Sequence, residues 1–299
     1  MPASRAVVVL GMHRSGTSAI ARSVAALSVY LGNDLFGAHP ENPTGYWEDR
    51  NLVALDDRVL ESFGLRWDSI PRIDPRRFES RKVRKLQREA AGYCRKTLAS
   101  RPLWGFKDPR TIRVLPFWQN VLLDCGAQDS YVVAIRNPRS IAASLFARQR
   151  MTADDAYRLW LVHMVPFLHR IADAPFVVVD YDLLMQDPRR ELGRMARALA
   201  IEADGDEAER FASEFLNPSL RHTSFSLDDL EEGTAAARLT KSAYGLLLGL
   251  ARDRLDPSRD FWPSWRELAV QVAALLPPAQ PSRESRFSLR RWPSRLAPS

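Results

Sequence analysis

The sequence predicts an α/β fold, a three-layer α/β/α domain built on a central parallel sheet. Three observations predict it. Short β-branched runs at Val7–Leu10, Tyr131–Ile135 and Phe176–Val179 read as strands buried on both faces. Helical periodicity fills the intervals between them, which calls for parallel strands joined by helical crossovers. The first run feeds Gly11-Met12-His13-Arg14-Ser15-Gly16-Thr17-Ser18, a Gly-bracketed turn that opens a helix, and ligands of such sheets gather at the carboxyl ends of the strands.

The elements follow in chain order. After the loop, Ile20, Val24 and Leu27 recur at helical spacing. Leu31–Tyr46 is rich in Gly, Asn and Pro and reads as a long loop, a common carrier of function. Asn51–Phe63 and Arg81–Leu98 read as helices. Tyr131–Ile135 is the second strand, ended by Asn137-Pro138, and Ile141–Arg150 resumes helix. Tyr157–Ala172 is helical with a break at Pro166. Phe176–Val179 is the third strand, Arg189–Ala200 a helix, and the pattern from Glu202 onward is mostly helical. Residues 1–276 read as a single domain. Residues 277–299 read as a Pro/Ser/Arg-rich tail, with Arg283, Arg286, Arg290, Arg291 and Arg295 against Glu284. The tail is expected to be disordered. Its arginines, with Phe287, Leu289 and Trp292, are also suited to an anionic membrane surface.

Composition narrows the classes. The chain has 299 residues, 45% of them hydrophobic and 26% charged, as in ordinary globular proteins. Net charge is +7, with arginine far outnumbering lysine, which suits anionic ligands. No nucleic-acid partner is expected. No apolar run approaches the length of a membrane span, and the N-terminus lacks a signal-peptide core. The expected location is therefore cytoplasmic, with peripheral contact at the inner face of the membrane through the tail. Cys94 and Cys125 are expected as buried free thiols. His163, His169 and His222 lack metal-ligand spacing, and no metal is expected. Trp47, Trp67, Trp104, Trp118 and Trp160 read as core or pocket wall.

Gly11–Ser18 is P-loop-like without being a Walker A loop. It ends Gly16-Thr17-Ser18 where a Walker loop ends Gly-Lys-Ser/Thr. The cation lies inside the loop, at Arg14, a forked donor for an anion. A second motif, Arg136 followed by Ser144 in the next helix, could close on one phosphate with guanidinium and hydroxyl.

Together these stretches resemble the sulfotransferases that use 3′-phosphoadenosine 5′-phosphosulfate (PAPS). The resemblance spans residues 6–200 and includes Trp104–Arg110 and Val177–Pro188. It implies that His13, Arg14, Ser15, Gly16, Thr17 and Ser18 hold the 5′-phosphosulfate and that Arg136 and Ser144 hold the 3′-phosphate. Arg at position 14 is similar to carbohydrate- and tyrosine-directed relatives. Those relatives use a Glu base after the first helix, and the local context of His39 does not match the His base of the small-molecule branch. Glu48, beside Asp49, Tyr46 and Trp47, is therefore the candidate base, with Asp49 the alternative. Lys107 is a candidate catalytic cation or phosphate contact, with Arg14 as a second cation at the sulfuryl group. Arg110 is a further candidate contact, and the late basic pair Arg221-His222 is placed to reach the cofactor. The implied activity is sulfuryl transfer from PAPS to a hydroxyl acceptor, a saccharide or glycolipid first, with a small-molecule alcohol and tyrosine left open. The rival reading is a P-loop kinase or NTPase, with Asp180 as the nearest match to a Walker B aspartate.

Overall fold

The computed structural model of the protein describes residues 4–39, 42–202, 205–215, 225–230 and 232–279. The tail arginines and the Arg221-His222 pair lie outside the described residues.

Four parallel strands form one sheet: β1 (Arg5–Leu10), β2 (Leu103–Lys107), β3 (Gln128–Ile135) and β4 (Phe176–Asp180), in the order β2-β1-β3-β4. Three of these are the predicted strands. The fourth, β2, is a correction to the sequence reading, because Leu103-Trp104-Gly105-Phe106-Lys107 has none of the β-branched character that marks the others. Packing selects Gly105: a Cβ there would lie 2.7 Å from Val29 Cγ1 and 2.8 Å from the Val7 carbonyl oxygen.

The helices are α1 (Thr17–Ala25), α2 (Arg50–Ser62), α3 (Arg81–Ser100), α4 (Leu115–Asp124), α5 (Pro138–Gln149), α6 (Ala153–Met164), α7 (Tyr181–Gln186), α8 (Pro188–Leu199), α9 (Gly205–Arg210), α10 (Ala235–Ala251) and α11 (Trp262–Leu275). Alternation along the strands sorts them into two layers. Val7 and Val9 of β1, with Val132 and Ala134 of β3, pack on Ile20 and Val24 of α1 and on Leu192 and Met195 of α8. Ala6, Val8 and Leu10, with Tyr131, Val133 and Ile135, face the other side, toward α2, α3, α4, α6 and α10. Each fully buried aliphatic or aromatic side chain contributes roughly 1.5–3 kcal/mol to this arrangement.

Local chemistry sets the helix starts that matter at the site. Asn137 caps α5 by accepting from the Arg139 N–H, with Pro138 as the first helical residue. The α6 helix starts earlier than predicted because Thr152 caps it, and it stops at Met164. A single 3-10 turn at Leu168–Ile171 follows Pro166. Cys94 and Cys125 are both free thiols; Cys94 is buried as expected, but Cys125 is only half-buried. No helix among the described residues is long and apolar enough to cross a membrane.

Candidate active site at the carboxyl end of the sheet

The loop between β1 and α1 carries two residues in the left-handed backbone region, Arg14 at φ 68° and Gly16 at φ 78°. Only glycine fits at position 16, where a Cβ would stand 2.2 Å from the ring of Tyr181. Gly16 is also the N-cap of α1 and supplies no side-chain acceptor. The first N–H groups of α1 are therefore not covered by a cap from that residue, and a helix start of this kind favours an anion.

The two sequence motifs meet in space. Arg14 Nε donates to Ser144 Oγ at 2.8 Å across 130 residues of sequence. Arg136 follows the end of β3, and its guanidinium carbon sits 4.8 Å from the centroid of the Tyr181 ring. Tyr181 thus touches both the loop, at Gly16, and the Arg136 side chain. No sequence signal separated it from an ordinary aromatic after a strand.

Lys107 ends β2 and is 2% exposed. Its ammonium donates to Glu48 Oε1 at 2.6 Å, to the Tyr46 carbonyl at 3.1 Å and to Ser18 Oγ at 3.3 Å. The predicted base, the predicted cation and the last residue of the loop therefore form one cluster. The long loop reaches it through its own backbone bonds: Phe36 N–H donates to the Glu48 carbonyl, and Tyr46 N–H to the Phe36 carbonyl. Trp47, at φ 58°, turns the chain between them. Its neighbours on either side, Tyr46 and Glu48, bind the same ammonium.

Burial raises the Glu48 carboxyl above its ordinary value, and the charge of Asp108 adds to the rise; Lys107 and Arg110 oppose it. The adjacent carboxylate has a different occupation. Asp49 caps α2, accepting from the N–H groups of Asn51 and Leu52, and takes the Tyr93 hydroxyl as well.

Beyond Lys107 lies a second charged group. Arg110 binds Asp108 at 2.9 Å and Asp57 at 2.7 Å, so its guanidinium already holds two carboxylates. Asp56 is fully buried and accepts from Thr111 Oγ1 and Trp118 Nε1. Burial and Asp108 push its carboxyl well above the ordinary range. The His13 ring packs on Trp67 at 4.4 Å and lies 6.1 Å from the ring of His163. Burial, then the positive charge of Arg110, lowers the His13 pKa, so the ring is neutral. His39 lies beside the Tyr46 hydroxyl, at 3.4 Å. Asp180 caps α7 and accepts the Tyr244 hydroxyl at 3.0 Å, which occupies both of its oxygens with structural work.

Arg14, Arg136 and Lys107, with the hydroxyls of Ser18 and Ser144, form a donor set of fixed charge and hydroxyl groups. Its chemistry fits phosphate and sulfate oxygens.

A parallel sheet whose first strand feeds such a loop, with a buried lysine–glutamate pair beside it, defines a P-loop-like group-transfer protein. The particular family follows from the sequence: the model of the sulfotransferase family matches residues 6–205, and the chain belongs to that family. Sulfuryl transfer to a hydroxyl-bearing acceptor is the chemistry this membership carries. No curated protein matches the chain. Solved structures similar to it include the sulfotransferase domain from the Synechococcus PCC 7002 olefin synthase, at 17% identity and a TM-score of 0.44, covering 90% of this chain and 94% of that one. Another is retinol dehydratase in complex with androsterone and the inactive cofactor PAP, at 14% identity and a TM-score of 0.33, covering 96% and 82%.

Proposed function

We propose that the protein transfers a sulfuryl group from PAPS to a hydroxyl of a saccharide or glycolipid. The observation that carries this reading is the contact of Lys107 with both Glu48 and Ser18, beside the Arg14–Ser144 bond. When bound, PAPS supplies an activated sulfuryl group with adenosine 3′,5′-bisphosphate as its leaving group. Arg14, Thr17, Ser18 and the backbone of His13–Gly16 would hold the 5′ end, and Arg136 and Ser144 the 3′-phosphate.

Glu48 supplies the base. It takes the proton of the acceptor hydroxyl as that oxygen bonds to sulfur, and the bond from sulfur to the leaving phosphate oxygen breaks. Lys107 supplies positive charge for that leaving oxygen, in a site where burial strengthens the interaction. Because Lys107 also holds Glu48, the same ammonium keeps the base oriented before the acceptor arrives.

The site arranges no lysine within the loop and leaves Asp180 capping a helix, so nothing in it favours the kinase reading. The basic tail would add contact with an anionic membrane, which suits a glycolipid acceptor; co-sedimentation with anionic vesicles that survives deletion of residues 280–299 would contradict that part. Calorimetry tests the donor. Adenosine 3′,5′-bisphosphate is expected to bind tightly and adenosine 5′-phosphate weakly, with the difference lost in Arg136→Ala. Equal affinity with and without the 3′-phosphate would overturn the assignment.

A further inference from the structure

The chain has two cysteines, and the fold brings them together where α3 packs on the end of α4. Cys94 lies on the buried face of α3. Cys125 is the C-cap of α4 and is half-buried. Cys125 Sγ lies 3.6 Å from the Ala91 carbonyl oxygen. A helix carbonyl points along the axis toward the next turn, so that sulfur stands at the turn that holds Cys94. Arg95 donates to the Asp124 carbonyl at 3.0 Å. The residue after Cys94 is thereby pinned to the residue before Cys125. Between these two contacts the Cys94 thiol donates to the Cys125 sulfur.

That hydrogen bond divides the roles. Accepting from Cys94 lowers the Cys125 thiol to about 7; burial opposes the shift, Arg95 supports it and Asp124 opposes it. The same bond, and then burial, raises the Cys94 thiol. The thiolate is the nucleophile in sulfur chemistry. The half-buried sulfur is thus the one that ionises near neutrality and faces an oxidant from solvent. The buried sulfur keeps its proton and is reached through its neighbour. A singly oxidised cysteine without a second thiol climbs to the irreversible sulfinic state. Here a second thiol is already in hydrogen-bond contact.

We propose that Cys94 and Cys125 form a reversible intramolecular disulfide when the protein meets hydrogen peroxide, with Cys125 as the attacking thiol and Cys94 as the resolving one. The Cys125 thiolate attacks one peroxide oxygen. The sulfur–oxygen bond forms, the oxygen–oxygen bond breaks, and the hydroxide released takes a proton and leaves as water. Cys94 then attacks the sulfenic sulfur. The sulfur–sulfur bond forms, the sulfur–oxygen bond breaks, and the departing hydroxide takes the Cys94 proton as a second water. Two thiols are oxidised to one disulfide, and one peroxide is reduced to two waters. Closing the bond draws the sulfurs from hydrogen-bond contact to about 2 Å. The exposed turn at Gly126, with open space around it, can absorb that movement. The pair stands apart from the Lys107–Glu48 cluster and does not depend on the sulfuryl-transfer reading.

The test is intact-mass and peptide-map analysis of the full native chain treated with a small excess of hydrogen peroxide. The mass is expected to fall by two hydrogens, and both titratable thiols to disappear. The non-reduced digest should hold one peptide pair joined through Cys94 and Cys125, and dithiothreitol should restore both thiols. In Cys94→Ala the same treatment should leave Cys125 as a sulfenic acid, captured by dimedone, and then carry it to the sulfinic acid. In Cys125→Ser, Cys94 should stay unmodified in the folded chain. The wild-type digest decides by itself where a variant fails to fold. Oxygen added to Cys125 of the wild type without a cross-link, or a disulfide between two chains, would overturn the assignment. So would two thiols that survive peroxide until urea unfolds the chain, or a Cys94 that reacts equally fast without Cys125.

Discussion

The Lys107–Glu48 pair at the strand ends and the Arg194–Glu191 pair on α8 are both buried ion pairs, and they differ in what else the cation holds. Arg194 donates to Glu191 Oε2 at 2.7 Å and to Asp253, and also to the backbone carbonyls of Val178 and Leu250. It joins β4, α8 and the end of α10 through groups that belong to the fold. Lys107 binds one carbonyl, but its other partners are a carboxylate and a hydroxyl that have no role in a helix or a sheet ladder. Burying charge is costly in both places. In the first the return is a fixed junction. In the second it is the pair to which the proposed chemistry is assigned, held next to the loop through Ser18. Arg194 ties carbonyls of two other elements together, whereas Lys107 holds a single carbonyl and two side chains beside the loop.

Substitutions in the two clusters should separate along that line. The largest effect is expected in Lys107→Met. Turnover should fall by about a thousandfold, the upper scale for removing one charge-stabilising donor, while the fold persists, because burial already favours a protonated Glu48 once its cation is gone. Steady-state rates and thermal melts read the two parts, and a melt that collapses along with the rate would erase the contrast. Arg194→Met comes next, with a stability loss of about 3–5 kcal/mol from breaking a buried pair. Urea denaturation measures it, and folded material should bind adenosine 3′,5′-bisphosphate as the parent does.

Glu48→Gln should lower turnover about a hundredfold, the scale of general-base loss, with nucleotide affinity unchanged. The base acts as a carboxylate, so activity must rise with pH as Glu48 ionises. Its raised pKa puts that acid limb above 4.5, and the limb should vanish in the variant. A pH–rate profile that keeps the limb would move the base elsewhere. The smallest effect concerns Asp180, pushed up to about 6 by burial and by the charge of Asp182. The folded chain holds this proton more tightly than the unfolded one. Its contribution to stability is therefore full below 3.8 and is lost as pH rises through about 6. Asp180→Asn should flatten the stability profile across that window, measured by urea midpoints, without touching turnover.

Much of this architecture was legible in the residues. Three β-branched strands, the Gly-bracketed loop and the alternation with helices follow from local periodicity, and the structure places them as read. The strand Leu103–Lys107 was not legible, since its Gly is required by Val29 and Val7, which meet it only in the folded chain. Arg14 was singled out by the loop motif, and Arg136, Ser144, Glu48 and Lys107 through the family resemblance; the structure brings Arg14 to Ser144 and Glu48 to Lys107. That Asp49 caps a helix while Glu48 binds Lys107 needed coordinates, because two adjacent carboxylates look alike in a sequence. Tyr181 escaped because its contacts with Gly16 and Arg136 arise only in the folded chain.

The most direct measurement is the transfer of radiolabel from PAPS to saccharides of a cell-envelope extract, with the wild type run beside Lys107→Met and Glu48→Gln. The assigned roles predict label in a saccharide or glycolipid fraction with the wild type and almost none with either variant. Transfer at an undiminished rate by both variants would contradict the central claim that this pair promotes the transfer as base and as charge for the leaving oxygen.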